Sequence, residues 1–220
     1  MKKALIFTLL VLINLLNAHA QGISCQDTIA IREKLASIRI SDQQIRSQLI
    51  KTMASKNPEE IKKIAIQMKA SDRLNQDFIS SILDRCGWPK ALSAIENNTI
   101  FLVIDHADSA YMNKYFPLLK AQADLGIVAK SDLATLQDRM ALRSGQKQTY
   151  GTQTFKIGDT VTIWPIADPN QLDLRRKSMG LIPMQEYISL LQRTYQAKIN
   201  FDENMTVEEA KEKMQKKIKL

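Results

Sequence analysis

Apolar residues recur at helical spacing along almost the whole chain, and a single stretch breaks the pattern. Ser41 followed by Gln44 reads as a capping box ahead of Ile45, Leu49 and Met53 on one helical face. Asn57-Pro58, with Glu60 three residues after the cap, opens a second helix that brings Ile61, Ile64, Ala65 and Met68 to one side. A third is expected over 75–86, with Phe78, Ile79, Ile82 and Leu83 inward, and Gly87-Trp88-Pro89 stops it. The run 100–104 is apolar at every position, which periodicity cannot resolve; with no neighbouring strand signal it is assigned to helix. Asp108 or Ser109 then caps a helix with Tyr111, Tyr115, Leu118 and Leu119 inward, an interruption at Pro117 and a stop at Gly126. Ser131-Asp132 start another, carrying Leu133, Leu136 and Met140 and ending near Gly145. After Asp168-Pro169 the pattern returns over 172–179, then from Pro183 through Tyr187, Leu190 and Leu191. A Thr206–Glu209 capping box finally precedes Val207, Ala210, Met214 and Ile218.

The exception is 148–166, where Thr, Phe, Ile, Val and Trp gather around a Gly-Asp turn as in a β-hairpin. Successive strand residues point to opposite faces, so a three-residue loop, Gly158-Asp159-Thr160, puts Phe155, Ile157, Val161 and Ile163 on one face, and that register is expected. The fold class that follows is mainly α: a single helical domain with one small β-hairpin near 150–166. No repeat of 20–50 residues points to a solenoid.

Lys2 and Lys3 lead into an apolar run from Ala4 to Leu16 that closes on Ala18-His19-Ala20, the pattern of a secretory signal peptide over 1–20. The run is too short for a spanning helix and no later stretch is longer, so the mature chain is expected to be soluble, without a transmembrane segment, and periplasmic or secreted. Past the leader the expected organisation is an N-terminal helical region over 21–74, a core over 75–200 and an amphipathic helix over 201–220. Cys25 and Cys86 are the only cysteines. An oxidising compartment lets them pair, and closing a loop of about 60 residues stabilises by about 4 kcal/mol on the chain-entropy model. A lipid anchor on Cys25 is the competing reading, but Gly22 stands three positions upstream where such an anchor needs an apolar residue, and Cys25 lies too far beyond the apolar run.

Export also removes His19, leaving His106 as the sole histidine of the mature chain. Sites made of several histidines are excluded within one chain, and neither a metal nor a cofactor is expected. The formal charge falls from +8 to 29 − 23 = +6, because Lys2 and Lys3 leave 29 basic residues against 23 acidic ones. That charge is spread out and lacks aromatic interleaving, so nucleic acid is not an expected partner.

The polar residues that periodicity leaves unexplained lie in the middle third: Asp105, His106, Asp108, Asp138, Arg139, the string 148–153, Asp168, Arg175 and Arg176. Gly87-Trp88-Pro89, His106-Ala107-Asp108, Asp138-Arg139, Gln148-x-Tyr150-Gly151-Thr152-Gln153 and Gly180-Leu181-x-Pro183 with Tyr187 together resemble a bacterial domain family of unknown function, over roughly 75–195. Cys86 is not part of that pattern. The family carries no assigned activity, so the resemblance groups these residues without giving them roles.

Three roles are compatible with the residue types. In a hydrolase, His106 is the general acid or base, oriented by Asp108 or Asp138, with water as nucleophile, because no Ser or Cys stands in a nucleophile motif. In a binding protein, Arg139, Gln148, Tyr150 and the Gly151-Thr152 amides hold a small polar or anionic molecule in a pocket centred on His106. In a structural or interaction protein the same set is a buried network. Each residue also has a plainer reading: His106 as a core histidine, Asp108 as a helix cap, Asp138 and Arg139 as separate struts, Tyr150 and Trp88 as packing, and Arg175-Arg176-Lys177 as a solvated face. Lys211, Lys213, Lys216, Lys217 and Lys219 make the last helix basic, a face for an acidic partner or simply the lysine-late bias that the helix dipole favours.

Overall fold

The computed structural model describes residues 24–55 and 57–218; the expected leader and Lys219 lie outside them. Among the described residues there are eight α-helices and one three-stranded sheet, a mainly α fold. No helix among them is long and apolar enough to cross a membrane. The sequence pattern suggests a single domain, whereas contacts divide the chain into two compact units, up to Thr99 and from Ile100. Nothing local marks this division, because it falls inside an uninterrupted helix.

The first unit is built on two long helices, α1 (Thr28–Ser55) and α2 (Pro58–Cys86), with Asn57 between them accepting from the amides of Glu59 and Glu60. The expected start at Ser41 and break before Asn75 do not occur. No Gly or Pro interrupts 28–55 or 59–86, so backbone hydrogen bonding continues through both points. Ser41 lies within α1 and its hydroxyl donates to the Ile38 carbonyl instead of capping. Met53, expected inward, is 55% exposed. Between the helices Arg46 donates to Asp72 at 2.9 Å and pairs with buried Asp42 at 3.1 Å. Cys25 and Cys86 form the disulfide, stapling the start of α1 to the end of α2. Trp88 is buried and its indole N–H donates to Asn97 at 2.8 Å.

The division lies in α3 (Ala94–Asp105), which makes the apolar run 100–104 helical as expected. In the second unit α4 (Ser109–Asp124) continues through Pro117, and its short connection to α5 (Lys130–Arg143) folds the two back on each other. Then come β1 (Thr154–Ile157) and β2 (Thr160–Ile163), a 3₁₀ turn (Pro169–Gln171), α6 (Leu172–Ser178), α7 (Met184–Tyr195), β3 (Lys198–Asn200) and α8 (Val207–Ile218).

The hairpin corrects the expected register. Ile157 pairs with Thr160 and Phe155 with Thr162, so the loop is the two residues Gly158-Asp159. The expectation assumed one buried face. In fact β2 is central, with β3 added in parallel on its other edge, and it is buried on both sides. Ile163 packs with Ile166, Leu172, Met184 and Leu191, whereas Phe155 and Trp164 join Met205, Val207 and Ala210 beneath α8. A strand covered twice gains nothing from keeping its apolar residues on one side. The Thr206–Glu209 capping box forms reciprocally, at 2.8 and 3.2 Å.

Candidate functional site

The string 148–153 is an irregular turn between α5 and the hairpin, and buried polar side chains from several elements close on its backbone. Asp138, 0% exposed on α5, accepts from the Thr149 amide at 2.7 Å, the Tyr150 amide at 3.0 Å, and the Thr152 amide and hydroxyl at 3.0 and 2.9 Å. Gln148, also fully buried, donates to the carbonyls of Gln153 and Trp164 and accepts from the Gln153 amide at 2.8 Å. Arg176, 1% exposed on α6, donates to the Tyr150 carbonyl at 2.6 Å and the Ile182 carbonyl at 2.7 Å, with its guanidinium 4.8 Å from the centre of the Tyr187 ring. The Tyr187 hydroxyl donates to the Thr152 carbonyl and Arg175 Nε to the Thr149 carbonyl. Gly151 sits at φ 72°, a left-handed conformation that favours glycine, and an added Cβ would lie 2.9 Å from Ile166 Cδ1 and force that side chain to shift.

Arg175-Arg176 is therefore not the solvated face read from the sequence. A buried arginine needs its donors satisfied, and the turn supplies carbonyls that no helix or strand uses. Nothing in a seven-residue helix carrying Arg-Arg-Lys announces which arginine turns inward. Tyr187 belonged to the family-like pattern, whereas Asp173, which accepts from the Met184 amide at 2.8 Å, carried no sequence signal at all.

A second group lies on the other side of α5. Arg139 Nε donates to Asp105 at 2.8 Å, and Arg143 donates to the Ala107 carbonyl. His106 is half-buried beside Asp105, and its charge favours the ionised form of that carboxylate. Asp108 is the helix cap, accepting from the Tyr111 amide at 2.8 Å. Adjacent Asp138 and Arg139 point in different directions, as helical geometry requires. The residues that the hydrolase and binding readings gather around His106 are thus divided: Asp138, Gln148, Tyr150 and Thr152 share the clamped turn with Gly151, His106 and Arg139 gather around Asp105, and Asp108 caps α4. Both acids that could orient His106 spend hydrogen bonds on backbone amides.

Electrostatics follow from burial. It pushes Asp138 above the ordinary aspartate range, against the amides of Thr152, Tyr150 and Thr149 and the Thr152 hydroxyl. Asp105 is likewise raised by burial, against Arg139, His106 and Arg143. Burial raises the Tyr150 and Tyr187 phenols and lowers Arg176. Arg143 is lowered by burial and by the neighbouring charge of Arg139, with Asp105 and Asp108 in opposition.

Beside the clamped turn a cleft of about 510 Å³ runs between α4 and α5. Ser109, Asn113 and Phe116 line it from one helix at i, i+4, i+7, and Gln137, Met140, Ala141 and Arg143 from the other, with Ser144 and Gln146 just past its end and Thr149 in the turn. Gln137 Oε1 is buried without a hydrogen-bond partner. Among the described residues no group of three or more His, Cys, Asp or Glu side chains could hold a metal ion.

The model of a family of unknown function, DUF6624, matches residues 29–200. The chain belongs to that family. The match extends the 75–195 resemblance to take in α1, all of α2 and β3, so the helical hairpin of the first unit is part of the family domain. No curated protein and no solved structure matches the chain.

Proposed function

We propose that this protein is exported to the periplasm or beyond and binds a small polar molecule without chemical turnover, the motif residues serving as the scaffold of the binding unit. The observation that carries the reading is the saturation of Asp138. Its two oxygens receive three amides and a hydroxyl of the turn, and each of those contacts is a donor. A carboxylate so occupied is a strut and not an acid–base group. Gln148 and Arg176 likewise spend their donors on backbone carbonyls. Such a network holds one turn rigid at the edge of a cleft whose size suits a small ligand. The Cys25–Cys86 disulfide supports an oxidising compartment.

Hydrolysis with His106 as general acid or base is the second reading; it rests on a half-buried imidazole beside Asp105 in a different group from the turn. A melting-shift screen of the mature protein against polar metabolites, followed by recovery of each hit, separates the two. Hits recovered unchanged, with shifts retained in His106→Gln, are expected. A hit converted to product by the wild type and not by His106→Gln would sink the binding reading.

A further inference from the structure

The long helix α1 is apolar on two opposite sides. One side, with Ile31, Leu35 and Ile38 buried, packs within the first unit. On the other, Ile29, Ala36, Ile40, Gln43, Ser47 and Ile50 follow, together with Glu33, the alternating three- and four-residue spacing of a heptad seam, and all of them are exposed. Ile29, Ile40 and Ile50 are 73%, 58% and 68% exposed. A single exposed apolar residue needs no explanation, whereas three along one stripe about 32 Å long do.

The other helix of the same hairpin shows what a solvated outer face looks like in this protein. At the same spacing α2 presents Glu59, Lys63, Arg73, Asp77 and Asp84, whereas Glu33 is the sole charge on the α1 stripe from 29 to 50. The arginines alongside that stripe are turned to α3: Arg32 pairs with Glu96 at 2.9 Å, and Arg39 donates to Asn98 at 2.8 Å. Depletion of charge from an exposed face is the mark of an interface core.

The charges that frame the stripe select the occupant. Glu33 and Lys51 are 51 − 33 = 18 residues apart, five whole helical turns, so they project on the same side of α1. When two α1 helices lie antiparallel about a two-fold axis near residue 42, Glu33 of each copy stands level with Lys51 of the other, and the uncharged part of the stripe lies against itself. Ala36 then meets Ser47 of the other copy, small against small, which lets the backbones approach closely. A parallel pairing would instead set Glu33 against Glu33 and Lys51 against Lys51.

We infer that α1 is a homodimerisation helix: its outer stripe, centred on Ile40, packs antiparallel on the same stripe of a second copy of this chain, and two Glu33–Lys51 pairs fix the direction. The inference is independent of the binding reading, because the surface lies wholly within the first unit.

A stripe this narrow should give a dissociation constant on the order of 10 µM, so sedimentation velocity of the mature, oxidised protein from about 1 to 200 µM brackets it. Ile40→Glu puts a charge in the middle of the stripe at an exposed position; it is expected to keep the wild-type melting temperature and to weaken the dimer at least about a hundredfold. Ile66→Glu, on the charged face of α2, is expected to leave the dimer intact. Glu33→Lys and Lys51→Glu each create like charges at both ends and should weaken association about tenfold, and combining the two should restore it. A chain that stays monomeric across the whole range overturns the inference, as does a dimer that survives Ile40→Glu. Equal loss in Ile40→Glu and Ile66→Glu, or a combined charge exchange that recovers nothing, refutes the antiparallel α1 pairing.

Discussion

Replacing Asp138 by alanine removes the acceptor around which residues 149–152 are wound. In the native protein one carboxylate takes the Thr149, Tyr150 and Thr152 amides and the Thr152 hydroxyl, all within 3.0 Å. Loss of a partner for buried donors costs about 1–3 kcal/mol each when nothing replaces it, so four orphaned donors set an upper bound of about 12 kcal/mol. Two effects reduce that figure: water can enter the vacated space, and the cost of burying the charge, seen in the raised affinity of Asp138 for a proton, disappears with it. The net expectation is about 3–5 kcal/mol, the range for breaking a buried charged network by removing one partner. Asp138→Asn should lose less, about 2–3 kcal/mol, because one oxygen still accepts while the amide group meets the Thr152 N–H as donor against donor. The assay is urea unfolding of the second unit, followed by Trp164 fluorescence in proteins that all carry Trp88→Phe, so that the reporter lies next to the turn it reports on. With a slope near 2 kcal/mol/M, alanine should move the midpoint down by about 1.5–2.5 M. A loss under about 1 kcal/mol at unchanged slope would refute the strut and return Asp138 to the pool of functional acids.

Three further outcomes are expected. Asp105 and Asp138 bind protons more tightly folded than unfolded, so between their raised values and the ordinary aspartate value, about 3.9, falling pH should stabilise the second unit, and rising pH through the raised values should remove that gain. A pH series of Trp164 midpoints checks the sign, and Asp138→Asn should flatten part of the slope. Gly151→Ala should cost about 1–3 kcal/mol through its positive φ and the 2.9 Å approach to Ile166 Cδ1; adding Ile166→Val, which deletes that atom, should restore part of the loss in a double-mutant urea cycle. Reducing Cys25–Cys86, which spans 61 residues, should destabilise the first unit by about 4 kcal/mol in Trp88-monitored unfolding, and a loss below about 1 kcal/mol would show that the bridge does not constrain the unfolded chain.

Much of this protein is decided locally and was legible in the sequence. Helical periodicity, the Asn57 and Asp108 caps, the Thr206–Glu209 box and the Gly87 stop depend on residues within a turn or two of each other, and each stands where the pattern puts it. The polar set could be singled out because those residues break a regular pattern. Continuity of α1 and α2 was missed because a good capping residue in mid-helix is only a permission to start, and no Gly or Pro enforces a stop. What the sequence leaves open is who faces whom. β2 becomes a central strand only because β3 arrives from 38 residues downstream and α8 covers the second face, and this sets the register against the local argument. Arg176 looks like any arginine on a short basic helix until the unpaired carbonyls of Tyr150 and Ile182 give its donors a buried destination. His106 and Asp138 are each legible as polar residues out of pattern, but their separation into two groups follows from the direction in which α5 points its side chains. Hydrogen bonds reach only about 3 Å, so pairings between distant segments exist only once the chain has packed, and they alone decide which polar residue is a strut and which faces the cleft.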